Sequence, residues 1–199
     1  MSTAAEFLAR HLSQLEEGND LYRIYPLLQL AGVSEENWQE AIPGTPFAVA
    51  WAFVGEMNFF EHISRDGARM LDEASIKWRS QSYRNLEALA RVEPANGYKD
   101  DERGHPFIQI MLHKDGMGPS RLLVPGIFVD IFGTDYEVAI PEQTCAVAYR
   151  TGLSGDMAFV VEGMVQGCFS QGTTPMSPER FRPEVFWEPS KKWLREESA

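Results

Sequence analysis

Acid–base catalysis, metal binding and nucleophilic attack each need particular side chains at particular spacings, and this chain offers few. Its four histidines, His11, His62, His105 and His113, are scattered. There is no HExxH pair. His105 and His113 bracket one apolar run, so they meet neither each other nor a third ligand locally. A catalytic site, that of a hydrolase, would have to be assembled by the fold from His105, His113, Asp115 and loop carboxylates. The two cysteines, Cys145 and Cys168, sit in apolar surroundings far apart in sequence. They read as a buried thiol pair, not as a disulfide or a metal site. Cys145, between Thr144 and Ala146 on a predicted strand, reads as inert.

Other signatures are absent. Gly152-Leu153-Ser154-Gly155 lacks the spacing of a nucleophile elbow. No glycine-rich phosphate loop follows a strand, and Gly163, Gly167 and Gly172 read as packing or cap glycines. Glu16-Glu17, Glu35-Glu36 and Asp100-Asp101 read as solvated surface, as do Arg79, Arg84 and Arg91 along one helix. Neither a cofactor nor a metal is called for.

Charge narrows the partners. A formal net charge of −11 works against a phosphate backbone, so nucleic acid is not expected. It suits solubility or a basic partner protein. No window approaches the roughly 18 apolar residues of a membrane span, and residues 8–15 are too short and too charged for a secretory signal. A cytoplasmic protein is expected.

The elements that must position these residues follow from periodicity. Thr3 and Glu6 form a capping-box pattern ahead of an amphipathic helix through Leu15, closed by Gly18-Asn19-Asp20. Residues 21–30 read as an edge strand, because they contain Pro26. A short helix is expected over 34–41, then a strand over 46–54 that is apolar on both faces and hence central. Turns at Gly55-Glu56 and Asp66-Gly67 suggest a meander through residue 71. A helix is predicted over 73–92 and an exposed loop over 96–104. A strand over 105–113 comes next, then a turn at Lys114-Asp115-Gly116 and a buried helix over 122–132. Tyr136, Val138 and Ile140, then Cys145, Val147 and Tyr149, alternate as a hairpin about the turn after Pro141. A helix over 157–169 follows. Ser177-Pro178 reads as the start of a short final turn, 183–187 as an edge strand, and 188–199 as a charged tail. The whole reads as one α+β domain over 1–199: a mostly antiparallel sheet with helices packed mainly on one face.

Five groups of residues carry a family resemblance: Trp78 with Tyr83-Arg84-Asn85-Leu86; Asp115-Gly116; Ser120-Arg121-Leu122-Leu123; Ala139-Ile140-Pro141; and Pro175-Met176-Ser177-Pro178 with Phe181. In order and spacing, over residues 21–182, they resemble the YtpQ-like family of bacterial proteins, a domain of unknown function. The resemblance implies a bacterial, cytosolic α+β protein with no established activity. Members often carry an Arg-Asp pair after the proline matched by Pro141, where this chain has Glu142-Gln143-Thr144. If that pair serves a function, this chain lacks it. Asn85, Glu142 and Gln143 are therefore the candidate binding residues. The reading that results is a non-catalytic, protein-binding module, immunity- or adaptor-like. A hydrolase is one alternative; a self-associating protein, pairing as a homodimer through a strand edge, is another.

Overall fold

The sequence FAVAWAFV is apolar on both faces, and in the computed structural model it is strand β3 (Phe47–Val54), buried almost throughout. The structure describes residues 23–55 and 59–195. The helix expected over 4–15 and its stop lie outside them, as does Glu56 of the expected turn.

The chain divides into two compact units: residues 23–88 with 189–195 among those described, and residues 89–188. In the first, β3 pairs on one side with β1 (Ile24–Leu30) and on the other with β2 (Gln39–Ala41) and β4 (Phe60–His62), all antiparallel. Among the described residues β1 lies at the sheet edge and so tolerates Pro26. Trp51 on β3 anchors the core. Its indole N–H donates to Ser82 Oγ at 3.0 Å, and its ring meets Trp78 and Tyr83 edge-on.

Several elements of this unit differ from their sequence reading. Residues 37–41 form a bridge and β2 instead of a helix. Asp66-Gly67 is not a hairpin turn. The Ser64 side chain accepts from Gly67 N at 3.0 Å and caps helix α1 (Arg65–Glu73), which places that dipeptide in a first helical turn. Helix α2 (Trp78–Val92) starts five residues later than predicted, because α1 and its C-terminal turn use residues 73–77. The charged tail contains helix α5 (Glu188–Arg195). Its Trp193 ring lies 4.7 Å from the Arg79 guanidinium. Arg79 is not a solvated residue: it is buried against Trp38 and Trp78 and paired with Asp72.

The second unit holds a five-stranded antiparallel sheet in the order β5-β6-β8-β7-β9. Its strands are β5 (Gly97–Asp100), β6 (Pro106–Met111), β7 (Tyr136–Glu142), β8 (Cys145–Arg150) and β9 (Pro175–Phe181). The β7–β8 hairpin forms where its alternation places it. Its register slips between Ala139 and Glu142, where Pro141 has no amide to donate. Helix α4 (Gly155–Gln171) sets Val161 and Val165 on Phe107, Ile108, Ala139, Val147 and Tyr149.

β5 occupies part of the expected 96–104 loop. The apolar stretch 122–132 is broken at Pro125 and Gly126 (φ +70°), leaving a 3-10 helix (Pro119–Leu123) and a single turn, α3 (Val129–Phe132). Ser177-Pro178 lies inside β9, where a proline is harmless at a sheet edge. Residues 183–186 are a 3-10 turn, not a strand. The class is α+β and antiparallel, with the strands divided between two sheets. Among the described residues no helix is long and apolar enough to cross a membrane.

Candidate functional site

His105 and His113 lie just outside the two ends of strand β6. At the C-terminal end the chain turns through Lys114-Asp115-Gly116, and Asp115 Oδ1 accepts from Met117 N at 2.8 Å. The 3-10 helix then brings Arg121 back over the turn. Its guanidinium donates to both Asp115 oxygens, at 3.2 and 2.8 Å, and its Nε donates to the Glu93 carbonyl at 2.8 Å. Gly118 makes this return feasible: a Cβ there would sit 2.5 Å from Met111 O and 3.0 Å from Thr144 O.

The Arg121 side chain is fully buried. Burial alone would raise the Asp115 carboxyl, but the Arg121 and Met117 bonds outweigh it and hold the group below its ordinary value. His113 is buried beside this pair with neither ring nitrogen hydrogen-bonded. Burial, then the Arg121 charge, lowers its pKa. His113 and Asp115 are thus close, but the carboxylate is committed to Arg121.

At the other end of β6 the same residue types recur in a different setting. Asp101 accepts from Arg150 Nη2 at 2.8 Å and from the amides of Arg103 and His105, each at 2.9 Å. The Arg150 bond, then the His105 amide, brings its carboxyl down to about 2. The His105 ring is exposed, with Nδ1 3.9 Å from Asp101 Oδ2, beyond hydrogen-bond reach. Arg150 Nε is buried and has no partner.

These residues open onto a cavity of about 680 Å³ between the β5–β6 connection and the start of α4. Phe107, Met157 and Val160 give it an apolar floor. Lys99, Asp100, Glu102, Arg103 and Asp156 give it a charged rim. Its volume is in the range of ligand sites, about 300–1,000 Å³. His113, Asp115 and Arg121 are not part of its lining.

The fold therefore brings His113 and Asp115 together and places His105 in the groove at the far end of β6. Asn85 is structural in its contacts: its Nδ2 donates to Ile24 O of β1 at 3.0 Å and its Oδ1 accepts from Gln81 Nε2 at 2.9 Å. Glu142 is buried. Its Oε2 accepts from the amide and hydroxyl of Thr144, each at 2.6 Å, and its Oε1 accepts from Thr174 N at 3.2 Å. It fastens the β7–β8 turn to the segment after α4. Gln143 is exposed, and its backbone N–H donates to Thr174 O at 3.1 Å.

Cys145 and Cys168 are both free, with Sγ atoms 3.9 Å apart. Among the described residues no group of three or more His, Cys, Asp or Glu side chains could hold a metal ion.

Neither Arg121 nor Arg150 stands out as a site residue in the sequence. The signal for Arg121 was its place in Ser120-Arg121-Leu122-Leu123: a lone cation in a run otherwise bound for the core must find a counter-ion there. Comparison with protein-family models, with curated proteins and with solved structures finds no match to this chain.

Proposed function

We propose that the protein is a non-catalytic binding module of the bacterial cytoplasm, immunity- or adaptor-like, and that its groove receives a segment of a basic partner protein. The observation that carries this reading is the groove itself: an apolar floor of Phe107, Met157 and Val160 under a rim weighted toward acid. Asp101 and Arg150 neutralise each other. Of the remaining rim groups, Asp100, Glu102 and Asp156 oppose only Lys99 and Arg103. Such a site anchors an apolar side chain and favours flanking Lys or Arg. The bacterial and cytosolic setting is what the YtpQ-like resemblance implies.

Hydrolysis has less support. The groove's histidine has no carboxylate within hydrogen-bond reach, and the carboxylate nearest to it is bound to an arginine and two amides.

The test is capture of a partner from a bacterial extract by the intact protein, repeated with Glu102→Lys and Asp156→Lys combined. The expected result is a basic partner held by the wild type, at least tenfold less by the variant, and less by the wild type as salt rises. Equal capture by a variant with an unchanged circular dichroism spectrum overturns the placement of the site. Concentration-dependent sedimentation of the wild type alone, lost in the same variant, would assign the groove to a second copy instead.

A further inference from the structure

We propose that Cys145 and Cys168 are an oxidisable pair that closes to an intramolecular disulfide and ties the last turn of α4 to the start of β8. This inference is independent of the groove, which lies at the other end of α4. The two thiols come from residues 23 apart in sequence, on different elements, with sulfurs 3.9 Å apart. A disulfide needs a separation of about 2.0 Å, so each side chain has to turn by a modest amount.

The backbones around the pair are already fixed against each other. Glu142 bonds Thr144 on one side and Thr174 on the other. A Cβ added at Gly172 would lie 2.4 Å from Glu142 Cγ, so the chain leaving α4 runs directly over the β7–β8 turn. Closure therefore falls to the two Cys side-chain torsions, with no rearrangement of the sheet.

Exposure sets the order of events. Cys145 is 5% exposed, and burial, then Cys168, pushes its thiol up to about 12, so it does not react first. Cys168 is only half-buried. A hydroperoxide meets Cys168 first. Its sulfur attacks one peroxide oxygen, the O–O bond breaks, and Cys168 becomes a sulfenic acid with release of water (or of alcohol from an alkyl hydroperoxide). The Cys145 sulfur then attacks the Cys168 sulfur. The S–O bond breaks, the S–S bond forms, and the hydroxyl leaves as water with the Cys145 proton. Two thiols and one peroxide give one disulfide and two hydroxylic products, with two electrons passing from sulfur to oxygen.

The test is peptide mass spectrometry of the full-length protein after hydrogen peroxide. Trypsin cuts at Arg121, Arg150 and Arg180, so Cys145 and Cys168 fall on separate peptides, 122–150 and 151–180. The expected product is the two peptides joined, lighter by two hydrogens and separated by dithiothreitol. The oxidised protein should also melt about 5–10 °C higher, reversibly, because the bond closes a loop of some 23 residues. With Cys145→Ala, Cys168 should stop at the sulfenic acid and be trapped by dimedone. Two free thiols surviving peroxide that oxidises free cysteine, a Cys168 sulfinic acid without crosslink in the wild type, or a covalent dimer on a non-reducing gel would each overturn the proposal. The wild-type measurement decides it whether or not the variant folds.

Discussion

The two ends of β6 carry the same three residue types. One end holds His113, Asp115 and Arg121; the other holds His105, Asp101 and Arg150. In each, an arginine binds an aspartate at 2.8 Å, and the two carboxylates are covered to a similar degree, 23% and 15% exposed. The cations are not: Arg121 is 0% exposed and Arg150 32%. Arg121 also spends its Nε on the Glu93 carbonyl, whereas Arg150 Nε has no partner. The first end is closed and supports the fold; the second borders a cavity. Residue type alone does not separate a structural cluster from a site. What separates them is whether the cation's hydrogen bonds are used up inside the protein and whether solvent reaches it.

The largest expected effect tests the closed end. Arg121→Met leaves the Asp115 carboxylate and the Glu93 carbonyl without their donors. Losing hydrogen bonds to a charged group costs about 1.5–3 kcal/mol, and urea denaturation at pH 7 should show a loss of that order. Replacing Asp115 by leucine in the same chain should recover part of it, since no unpaired charge then remains. A loss below about 1 kcal/mol for Arg121→Met would mean the two ends are energetically alike.

This difference between the ends was only partly legible in the sequence. The strand between His105 and His113 was, because its apolar run ends at turn residues. It follows that the two histidines lie far apart, since eight residues of extended chain span about 26 Å. β3 was legible because large apolar residues alternate with alanine over a strand-sized length bounded by turn residues, and the β7–β8 hairpin because two such runs flank the turn after Pro141. The α1 helix was not, because Asp66-Gly67 has the composition of a turn and only Ser64, two residues earlier, marks it as a capped helix. The 122–132 stretch was not, because an unbroken apolar run has no period to decide its structure, and Pro125-Gly126 then divides it. The Arg150–Asp101 pair joins residues 49 apart in sequence, and no local pattern encodes it. The Glu142 clamp was hidden likewise: its acceptor role depends on Thr174, 32 residues away.

The second effect concerns His113. Its folded pKa is lowered by burial, so below about pH 6.5 the unfolded chain takes up a proton that the folded protein does not. Its contribution is therefore neutral above pH 6.5 and destabilising as pH falls from there toward the lowered value. His62 is shifted the same way by burial and adds to the slope. His113→Leu should remove up to one proton from it, about 1.4 kcal/mol per pH unit, read from denaturation curves between pH 6.5 and 5. An unchanged slope would mean that His113 is protonated in the fold and that the closed end carries a second cation.

The smallest effect on stability, and the finest test of the comparison, belongs to the open end. Arg150→Met should lower the urea midpoint at pH 7, but by less than Arg121→Met does, because the Arg103 and His105 amides continue to hold Asp101. The carboxyl itself should report the change. In the wild type it titrates at about 2, with the Arg150 bond as the first cause, so without Arg150 it should move up toward its ordinary value near 3.8. A depressed carboxyl contributes stability above its unfolded pKa and loses it as pH falls through the folded one. That loss therefore lies between about pH 4 and 2 in the wild type and should be smaller in the variant, whose folded and unfolded values lie closer together. Carboxyl NMR titration of the two proteins measures it. If the Asp101 pKa stays at about 2, the loop amides alone hold the carboxylate. Arg150 would then be available to whatever the groove binds, and the resemblance between the two ends of β6 would be one of composition only.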